Sequence, residues 1–263
     1  MPELPDLEVL RENILKKFLG KKVVFVRARK NTASLHSKIR GKKLVGITRR
    51  GKYLVLAFGF TVTDIFCELV LHLMLNGRLV SFNEKEPIGG IDLFVIRFEN
   101  GEDLRLRDRT FWAKYWVGSD GKLDKLGVEP LSNEFTLDFF KKKLEKSRTK
   151  IKPLLMKQEF IAGIGNAYTD EALFDAKIHP KTSANKLDDE KVKKLYNSIK
   201  KVLSNGIKKV KEAVGSKIFE DEDRKFMKIY RKASSPCPRC GEKIRMTKVG
   251  GRDTFYCPLC QLY

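Results

Sequence analysis

Four of the five cysteines have the spacing of a metal site. They form the pairs Cys237-Pro-Arg-Cys240 and Cys257-Pro-Leu-Cys260, with sixteen residues between the pairs. Each pair can direct two sulfur atoms at one ion, and four thiolates fill the tetrahedral shell of zinc. The spacing therefore predicts one structural Zn²⁺ with no open position for a reacting water. Iron–sulfur ligation is the competing interpretation, and a metal-free dithiol pair is a further alternative.

The amino end of the chain carries a candidate nucleophile. A small second residue normally permits removal of Met1, after which Pro2 has a free secondary amine. An α-amino group titrates near about 7.7–8, so part of it is unprotonated and nucleophilic at neutral pH, and it can form an iminium ion with a sugar carbon. The adjacent Glu3 could transfer the accompanying proton. The alternative is that Pro5 and Asp6 simply start the first helix.

Composition restricts the class of protein to which the chain can belong. Of the 263 residues, 42% are hydrophobic, which excludes wholesale disorder. The chain has 54 Lys and Arg against 33 Asp and Glu, a formal net charge of +21, which favours a polyanionic partner such as nucleic acid over a Lys-rich solvated surface without such a partner. No apolar stretch approaches the roughly 20 residues that span a bilayer, and the amino end lacks a secretion signal. We expect no membrane association and a cytoplasmic or nucleoid-associated location, or a nuclear one in a eukaryote.

The hydrophobic pattern predicts the elements that must position these residues. Apolar residues at helical spacing from Leu7 to Phe18 predict an amino-terminal helix. Short runs rich in Val, Ile, Phe and Leu from Lys22 to Val117 predict a β-sandwich or barrel. Lys-rich helical patterns follow beyond Pro130. The whole is an α+β fold with predicted domains at 1–130 (the amino-terminal helix plus the β-sandwich or barrel), 131–225 (helical) and 226–263 (the predicted zinc finger, too small to fold on an apolar core alone).

Several motifs, in order along the whole chain, resemble the formamidopyrimidine-DNA glycosylase and endonuclease VIII superfamily. They are Pro2–Glu8, Arg50–Leu54, His72–Gly77, Gly163–Ala172 and the cysteine hairpin. Leu4 and the loop Arg109–Phe111 favour the formamidopyrimidine branch, which removes oxidised purines. The segment from Gly215 to Cys237 looks shorter than the 8-oxoguanine capping loop of the family, so formamidopyrimidines and further-oxidised purines are alternative substrates.

The resemblance implies an amino-terminal helix plus β-sandwich, a helix–two-turns–helix DNA-binding domain and a zinc finger. It also implies a bifunctional base-excision-repair DNA glycosylase and AP lyase that flips out oxidised bases. In that activity Pro2 attacks C1′ of the damaged nucleotide, Glu3 assists sugar opening, and the iminium leads to strand cleavage by β,δ-elimination without a catalytic cofactor. The implied partner is double-stranded DNA containing oxidised bases or abasic sites, bound by a monomer.

The resemblance carries further roles onto individual residues. Lys52 joins Pro2 and Glu3 in the catalytic group as a phosphate contact, although an exposed lysine is the alternative. Leu75 is the wedge that fills the gap left by a flipped base, where formamidopyrimidine enzymes typically carry methionine. The full set of implied DNA contacts is His72, Leu75, Arg109, Phe111, Lys152, Asn166, Tyr230 and Arg252.

Some of these assignments have structural alternatives. The alternative for residues 104–116 is an ordinary strand that buries Phe111, and the usual Asp-Pro-Arg-Arg-Phe-Gly of the family is altered in this loop. Lys152 and Tyr230 are as compatible with packing as with DNA contact. At the level of function, the alternative is a non-catalytic zinc-containing damaged-DNA-binding protein of the same fold. A basic RNA-associated zinc-ribbon protein would leave Pro2 and Glu3 unexplained.

Overall fold

The computed structural model describes residues 1–30, 32–61, 63–118, 120–218 and 224–263, and the chain divides into two compact units. The first comprises Met1–Asp124 and Val210–Glu222, and the second comprises Lys125–Lys209 and Asp223–Tyr263, each over its described residues. Both helices and strands are present, and the predicted α+β class is confirmed. The predicted domain limits stay predictions.

Over its described residues, the first unit contains the first two helices of the chain, the end of a later helix and two antiparallel four-stranded sheets. The first two helices are α1 (Leu4–Phe18) and α2 (Thr32–Ile39). One sheet has the order β1 (Val23–Ala28), β6 (Asp92–Phe98), β7 (Glu102–Arg107), β5 (Arg78–Asn83). The other has the order β2 (Lys43–Arg50), β3 (Tyr53–Thr61), β4 (Asp64–His72), β8 (Lys114–Val117).

One hydrophobic core joins both sheets to α1. Leu54, Leu56 and Phe58 lie on one face of β3, belong to this core and are at most 1% exposed. Val55 and Ala57, on the other face, are also buried. The apolar face of α1 packs into the same cluster, where the rings of Phe18 and Phe98 stack with centroids 4.4 Å apart. The helix predicted from Leu7 to Phe18 is therefore present and anchors the amino end of the chain.

The second unit is mainly helical and ends in a short hairpin. Its elements are α3 (Leu137–Glu145), α4 (Ile151–Leu155), α5 (Asn166–Asp175), a 3₁₀ turn (Ala184–Lys186), α6 (Asp189–Val214), β9 (Arg245–Val249) and β10 (Arg252–Tyr256). The end of α6 belongs to the first unit, where the Asn13 side chain donates to the carbonyl oxygens of Gly215 (2.9 Å) and Lys217 (2.8 Å). No helix within the described ranges is long and apolar enough to cross a membrane.

Candidate functional site

The first two candidate catalytic residues lie directly before α1. Pro2 is buried and Glu3 is 4% exposed, whereas Met1 is 39% exposed. The backbone N–H of Glu3 donates to Oδ2 of Asp6 at 2.8 Å, and Pro5 lies in the first turn. Pro5 and Asp6 therefore start the first helix, as the alternative to a catalytic amino end predicts. The same contact also fixes the backbone of Glu3 and so restricts the position of Pro2.

The loop that carries Lys52 is tied to α1 by an ion-pair chain. The Arg49 guanidinium donates to Oε2 of Glu8 at 2.9 Å and to the carbonyl oxygen of Gly51 at 3.0 Å. Burial raises the pKa of Glu8, but Arg11 and Arg49 outweigh it and hold this pKa below its usual value. Lys52 follows in this loop and is only 7% exposed, so the residues packed around it restrict the position of its side chain. The alternative of a fully exposed lysine does not hold.

His72 lies at the end of β4 between two lysines. It pairs with Tyr53 on β3 and with Lys114 on β8, and its ring centroid is 4.6 Å from that of Tyr53. Burial, followed by the positive charges of Lys52 and Lys114, lowers the pKa of His72 to about 4. The N–H of Met74 donates to Nδ1 of His72 at 3.2 Å, which assigns the ring proton to Nε2. His72 can therefore contact a phosphate as a neutral N–H donor rather than as a cation.

This pKa predicts a pH-dependent stability. The fold favours the neutral imidazole of His72, so between about pH 6.5 and about pH 4 the unfolded chain binds more protons and the free energy of unfolding falls as the pH is lowered. We expect His72→Gln to remove this acid-dependent loss of stability, which lowers the free energy of unfolding by at most about 2 kcal/mol at pH 5. Urea unfolding of both proteins at pH 7 and pH 5 measures this difference. An equal pH dependence in the two proteins would contradict it.

Two loops of the first unit present exposed apolar side chains. Leu75 is 45% exposed in the turn after β4, where the N–H of Gly77 donates to the carbonyl oxygen of Leu73 at 2.9 Å. Phe111 is 43% exposed in the loop between β7 and β8. The alternative of a continuous strand with Phe111 in the core is therefore wrong.

Asp108 organises the second of these loops. Its carboxylate accepts four hydrogen bonds at 2.7–2.9 Å, from the N–H and hydroxyl of Thr110 and from the N–H groups of Trp112 and Ala113. Burial raises the pKa of Asp108, and these donors outweigh it and lower the pKa below its usual value. The ionised carboxylate holds Phe111 in a left-handed backbone conformation with φ of 57°. Arg109, beside it, is exposed.

In the second unit, two turns join α4 to α5 and are built around one side chain. The Gln158 amide donates to the carbonyl oxygens of Met156 (3.0 Å) and Ile164 (2.9 Å), and its oxygen accepts from the N–H of Gly163 (2.9 Å). Gly163 has φ of 92°, a conformation that a side chain would disfavour. The turns place Asn166 in the first turn of α5, where backbone N–H groups lack helical acceptors and suit an anion.

The α5 helix also binds the carboxy-terminal hairpin. The Asn166 amide donates to the carbonyl oxygen of Asp253 at 2.9 Å, next to the exposed Arg252. Lys152 points into the same contact: its ammonium lies 2.7 Å from Asp170 and donates to the hydroxyl of Thr254 at 2.8 Å. Lys152 has no exposed surface, which favours the packing alternative for this residue, and its predicted DNA contact stays a prediction. Its three donors are used inside the protein, because the carbonyl oxygen of Asp253 accepts the third at 3.0 Å.

The segment that contains Tyr230 is held by a second carboxylate of α5. Glu171 accepts from the N–H groups of Lys228 (3.0 Å), Ile229 (2.8 Å) and Tyr230 (3.0 Å). The Tyr230 ring packs edge-on against Phe255 with centroids 5.5 Å apart, and it is half-buried. Tyr230 therefore has a packing role, and its predicted DNA contact stays a prediction.

The four predicted ligands form one cluster at the base of the hairpin. The Sγ atoms of Cys237, Cys240, Cys257 and Cys260 all lie within 4.8 Å of one another. Two of the distances are 3.9 Å (Cys237 to Cys260) and 3.5 Å (Cys240 to Cys257), close to the roughly 3.8 Å between sulfurs that surround one zinc at 2.3 Å. The N–H of Arg239 donates to the sulfur of Cys237, which favours a thiolate. The donor set fits a structural zinc ion.

Four residues of these sites have no predicted role from the sequence: Asp108, Gln158, Glu171 and Trp112. The first three form hydrogen bonds with backbone groups of loops. A single polar residue has no local sequence pattern that reveals this role. Trp112 is 56% exposed beside Phe111. Two consecutive aromatic residues in a loop between strands are a signal in the sequence that can indicate such an exposed aromatic surface.

Comparison with known proteins connects these features to one family. The model of the formamidopyrimidine-DNA glycosylase N-terminal domain matches residues 1–113, that of the H2TH domain of the same glycosylase matches residues 126–217, and that of a zinc finger found in FPG and IleRS matches residues 234–262. The formamidopyrimidine-DNA glycosylases of Pelotomaculum thermopropionicum and Lactococcus lactis subsp. lactis are each 35% identical to this chain, over 99% of both proteins in each comparison.

A solved structure agrees with this result. The complex between the Lactococcus lactis Fpg and an abasic site containing DNA superimposes with a TM-score of 0.89 at 31% identity, over 99% of this chain and 100% of that chain. The chain therefore belongs to the formamidopyrimidine-DNA glycosylase family. It is a DNA glycosylase of base-excision repair with a carboxy-terminal zinc finger, and the predicted superfamily and branch are confirmed.

Proposed function

We propose that the protein is a bifunctional DNA glycosylase and AP lyase whose nucleophile is the amine of Pro2. The observation that carries this proposal is the fixed position of the amino end: Pro2 and Glu3 are buried, and Asp6 binds the backbone of Glu3 at 2.8 Å. A nucleophile that attacks one sugar carbon gains rate from being held in place. A free tail at this position would supply no such advantage.

The proposed chemistry uses only groups of the chain and the DNA. After removal of Met1, the Pro2 amine attacks C1′, the bond from C1′ to the base breaks, and the base leaves with a proton, while Glu3 transfers the proton that assists sugar opening. The resulting iminium acidifies the C2′ hydrogens, so loss of one expels the 3′ phosphate. A second elimination expels the 5′ phosphate, and hydrolysis of the remaining iminium frees Pro2.

DNA binding is proposed for both units. In the first unit, Lys52 and His72 supply donors to phosphate, Leu75 fills the gap in the stack, and Arg109 and Phe111 meet the base left without a partner. In the second unit, the amide and helix terminus at Asn166, the guanidinium of Arg252 and, more weakly, Tyr230 contact the backbone. Phosphate contacts of this kind supply affinity and orientation without sequence specificity.

The phosphate contact of Lys52 predicts a change in salt dependence. Each neutralised phosphate adds about 0.9 to the slope of log affinity against log salt for duplex DNA. We expect Lys52→Ala to lower this slope by about one and to weaken damaged and undamaged duplex about equally. Titration by fluorescence anisotropy at several salt concentrations measures it. Lys142→Ala is the control, because Lys142 is exposed on α3 and pairs with Asp138. An unchanged slope for Lys52→Ala would exclude the phosphate contact.

Oxidised purines, including formamidopyrimidines, are the proposed lesions, and abasic sites the proposed lyase substrate. The support comes from relatives: solved complexes of the Lactococcus lactis protein contain abasic-site DNA, Fapy-dG DNA and, in another case, DNA with an oxidised pyrimidine. The linker between Gly215 and Cys237, whose length argues against an 8-oxoguanine preference, contains residues 219–223, which lie outside the described residues. Excision from duplexes that each hold one lesion would rank the substrates.

We further propose that the protein acts as a monomer on double-stranded DNA in the cytoplasm or nucleoid. Zinc has a structural role in this proposal, since four thiolates leave no ligand position for substrate. The charge of +21 supports a polyanionic partner.

Borohydride trapping tests the proposed chemistry. With lesion-containing or abasic duplex, reduction of the iminium should give a covalent protein–DNA cross-link on a denaturing gel, and an uncleaved amino-terminal tag should abolish both the cross-link and base excision. The absence of a cross-link from protein with confirmed removal of Met1 would overturn the proposal. It would favour the non-catalytic damaged-DNA-binding alternative.

A further inference from the structure

A groove of about 760 Å³ lies in the first unit beside the loop that precedes β8. Its wall includes the aromatic side chains of Phe111, Trp112, Tyr115 and Trp116. Phe111 is 43% exposed and Trp112 is 56% exposed. Exposed aromatic rings on a groove of this size provide flat apolar faces for a ligand with a planar apolar group.

The same groove is strongly cationic. Arg29, Lys30, Lys114 and Lys122 line it, and the one acid among its described lining residues, Asp120, is paired with Lys122. The Arg29 guanidinium lies 4.0 Å from the centroid of the Phe111 ring, and the Lys122 ammonium lies 4.6 Å from a ring of Trp116. The cations thus lie against the aromatic rings, so a ligand that fits both must combine a planar face with negative charge.

The groove is held in shape before any ligand binds. The Tyr115 hydroxyl accepts from the N–H of Lys30 at 3.0 Å and donates to its carbonyl oxygen at 2.8 Å, which fixes the backbone beside Arg29. On the other side, the carboxylate of Asp108 fixes the backbone of Trp112 at 2.9 Å. Preorganisation of this kind reduces the entropy lost on binding.

We propose that this groove binds one unpaired nucleotide of DNA, with the base stacked on Trp112 and its phosphate paired with Arg29. Aromatic faces that stack bases, alternating with cations that track phosphates, are the features of single-strand-binding surfaces. The proposal deepens the function above by adding a single-strand subsite to a DNA enzyme. An acidic peptide would match the cations but would leave the aromatic faces without a planar partner.

Intrinsic fluorescence reports on this groove selectively, because the chain has two tryptophans and both line it. Titration of the full-length protein with a four-residue oligothymidylate should quench the emission saturably. A four-residue oligomer of tetrahydrofuran phosphates, which has the charge but no bases, and tetraglutamate should quench it far less. Equal quenching by either of these two ligands, or none by oligothymidylate, would overturn the proposal.

Variants assign the effect to named residues. Trp112→Ala should weaken oligothymidylate binding about 5- to 160-fold, the loss expected for one stacked base, with Trp116 as the remaining reporter. Trp112→Tyr should restore most of the binding. Arg29→Ala should lower the salt slope by about 0.7, the value for one single-strand phosphate. The matched control is Phe66→Ala, because Phe66 is 55% exposed and has the ammonium of Lys42 4.4 Å from its ring.

The two proposals can fail separately. If borohydride trapping fails while Trp112→Ala still weakens oligothymidylate binding, the catalytic proposal is lost and the groove stands. If trapping succeeds but Trp112→Ala binds no more weakly than Phe66→Ala, the groove proposal is overturned and the chemistry stands.

Discussion

Glu3→Gln is expected to lower the rate of base excision about 10²- to 10⁴-fold, the usual contribution of a positioned acid or base. Glutamine has the size of glutamate but cannot transfer a proton, and the backbone contact from residue 3 to Asp6 should persist. Strand cleavage at a preformed abasic site should fall much less, since the base has already left. Single-turnover kinetics on a lesion duplex and on an abasic duplex separate the two steps.

Glu12→Gln provides the matched control for this experiment. Glu12 lies on the same helix, α1, but pairs with Lys211 at 2.8 Å, remote in sequence from the amino end. We expect near-normal excision from this variant. If Glu3→Gln lost both steps equally, Glu3 would have a role in positioning Pro2 rather than in proton transfer. If it lost neither, the assignment of Glu3 would be wrong.

Cys257→Ser is expected to eliminate bound zinc, about one ion per chain, and to unfold the carboxy-terminal hairpin. Structural zinc supplies about 10–16 kcal/mol of apparent binding free energy in zinc-finger peptides, and ligand loss forfeits most of it. The small apolar cluster around Phe174, Ile229 and Phe255 cannot replace that amount. DNA binding should weaken because Arg252 loses its fixed position. Metal analysis, hydrogen exchange over residues 234–262 and duplex titration measure the three effects.

Cys67→Ser is the control for the zinc variant, because Cys67 is half-buried in the first unit and is not a member of the four-sulfur cluster. It should keep its zinc and its hairpin protection. Native, active enzyme that contains no zinc would refute the assignment, and stoichiometric iron in its place would select the iron–sulfur alternative.

The sequence alone determined the elements and motifs whose signals are local. Helical spacing in α1, the apolar run of β3 and the Cys-x2-Cys pairs each depend on residues close together in the chain. The cysteine cluster is the clearest case, because ligand type and spacing suffice to predict that Cys237 and Cys240 join Cys257 and Cys260 in a donor set that fits zinc. The family resemblance was equally readable, since the order of several short motifs does not depend on knowing how they pack.

Only the tertiary structure decided which charged and aromatic residues are accessible. Lys152 has the sequence appearance of a surface lysine, but contacts with Asp170 and Thr254, distant in the chain, bury it completely. His72 looks like a physiological titrating group, but burial, followed by the charges of Lys52 and Lys114, lowers its pKa to about 4. Trp112 lines a groove only because the fold places Arg29, distant in the sequence, on the same groove. Burial, pKa and accessible surface are set by neighbours brought together across long sequence separations, and local patterns do not contain them.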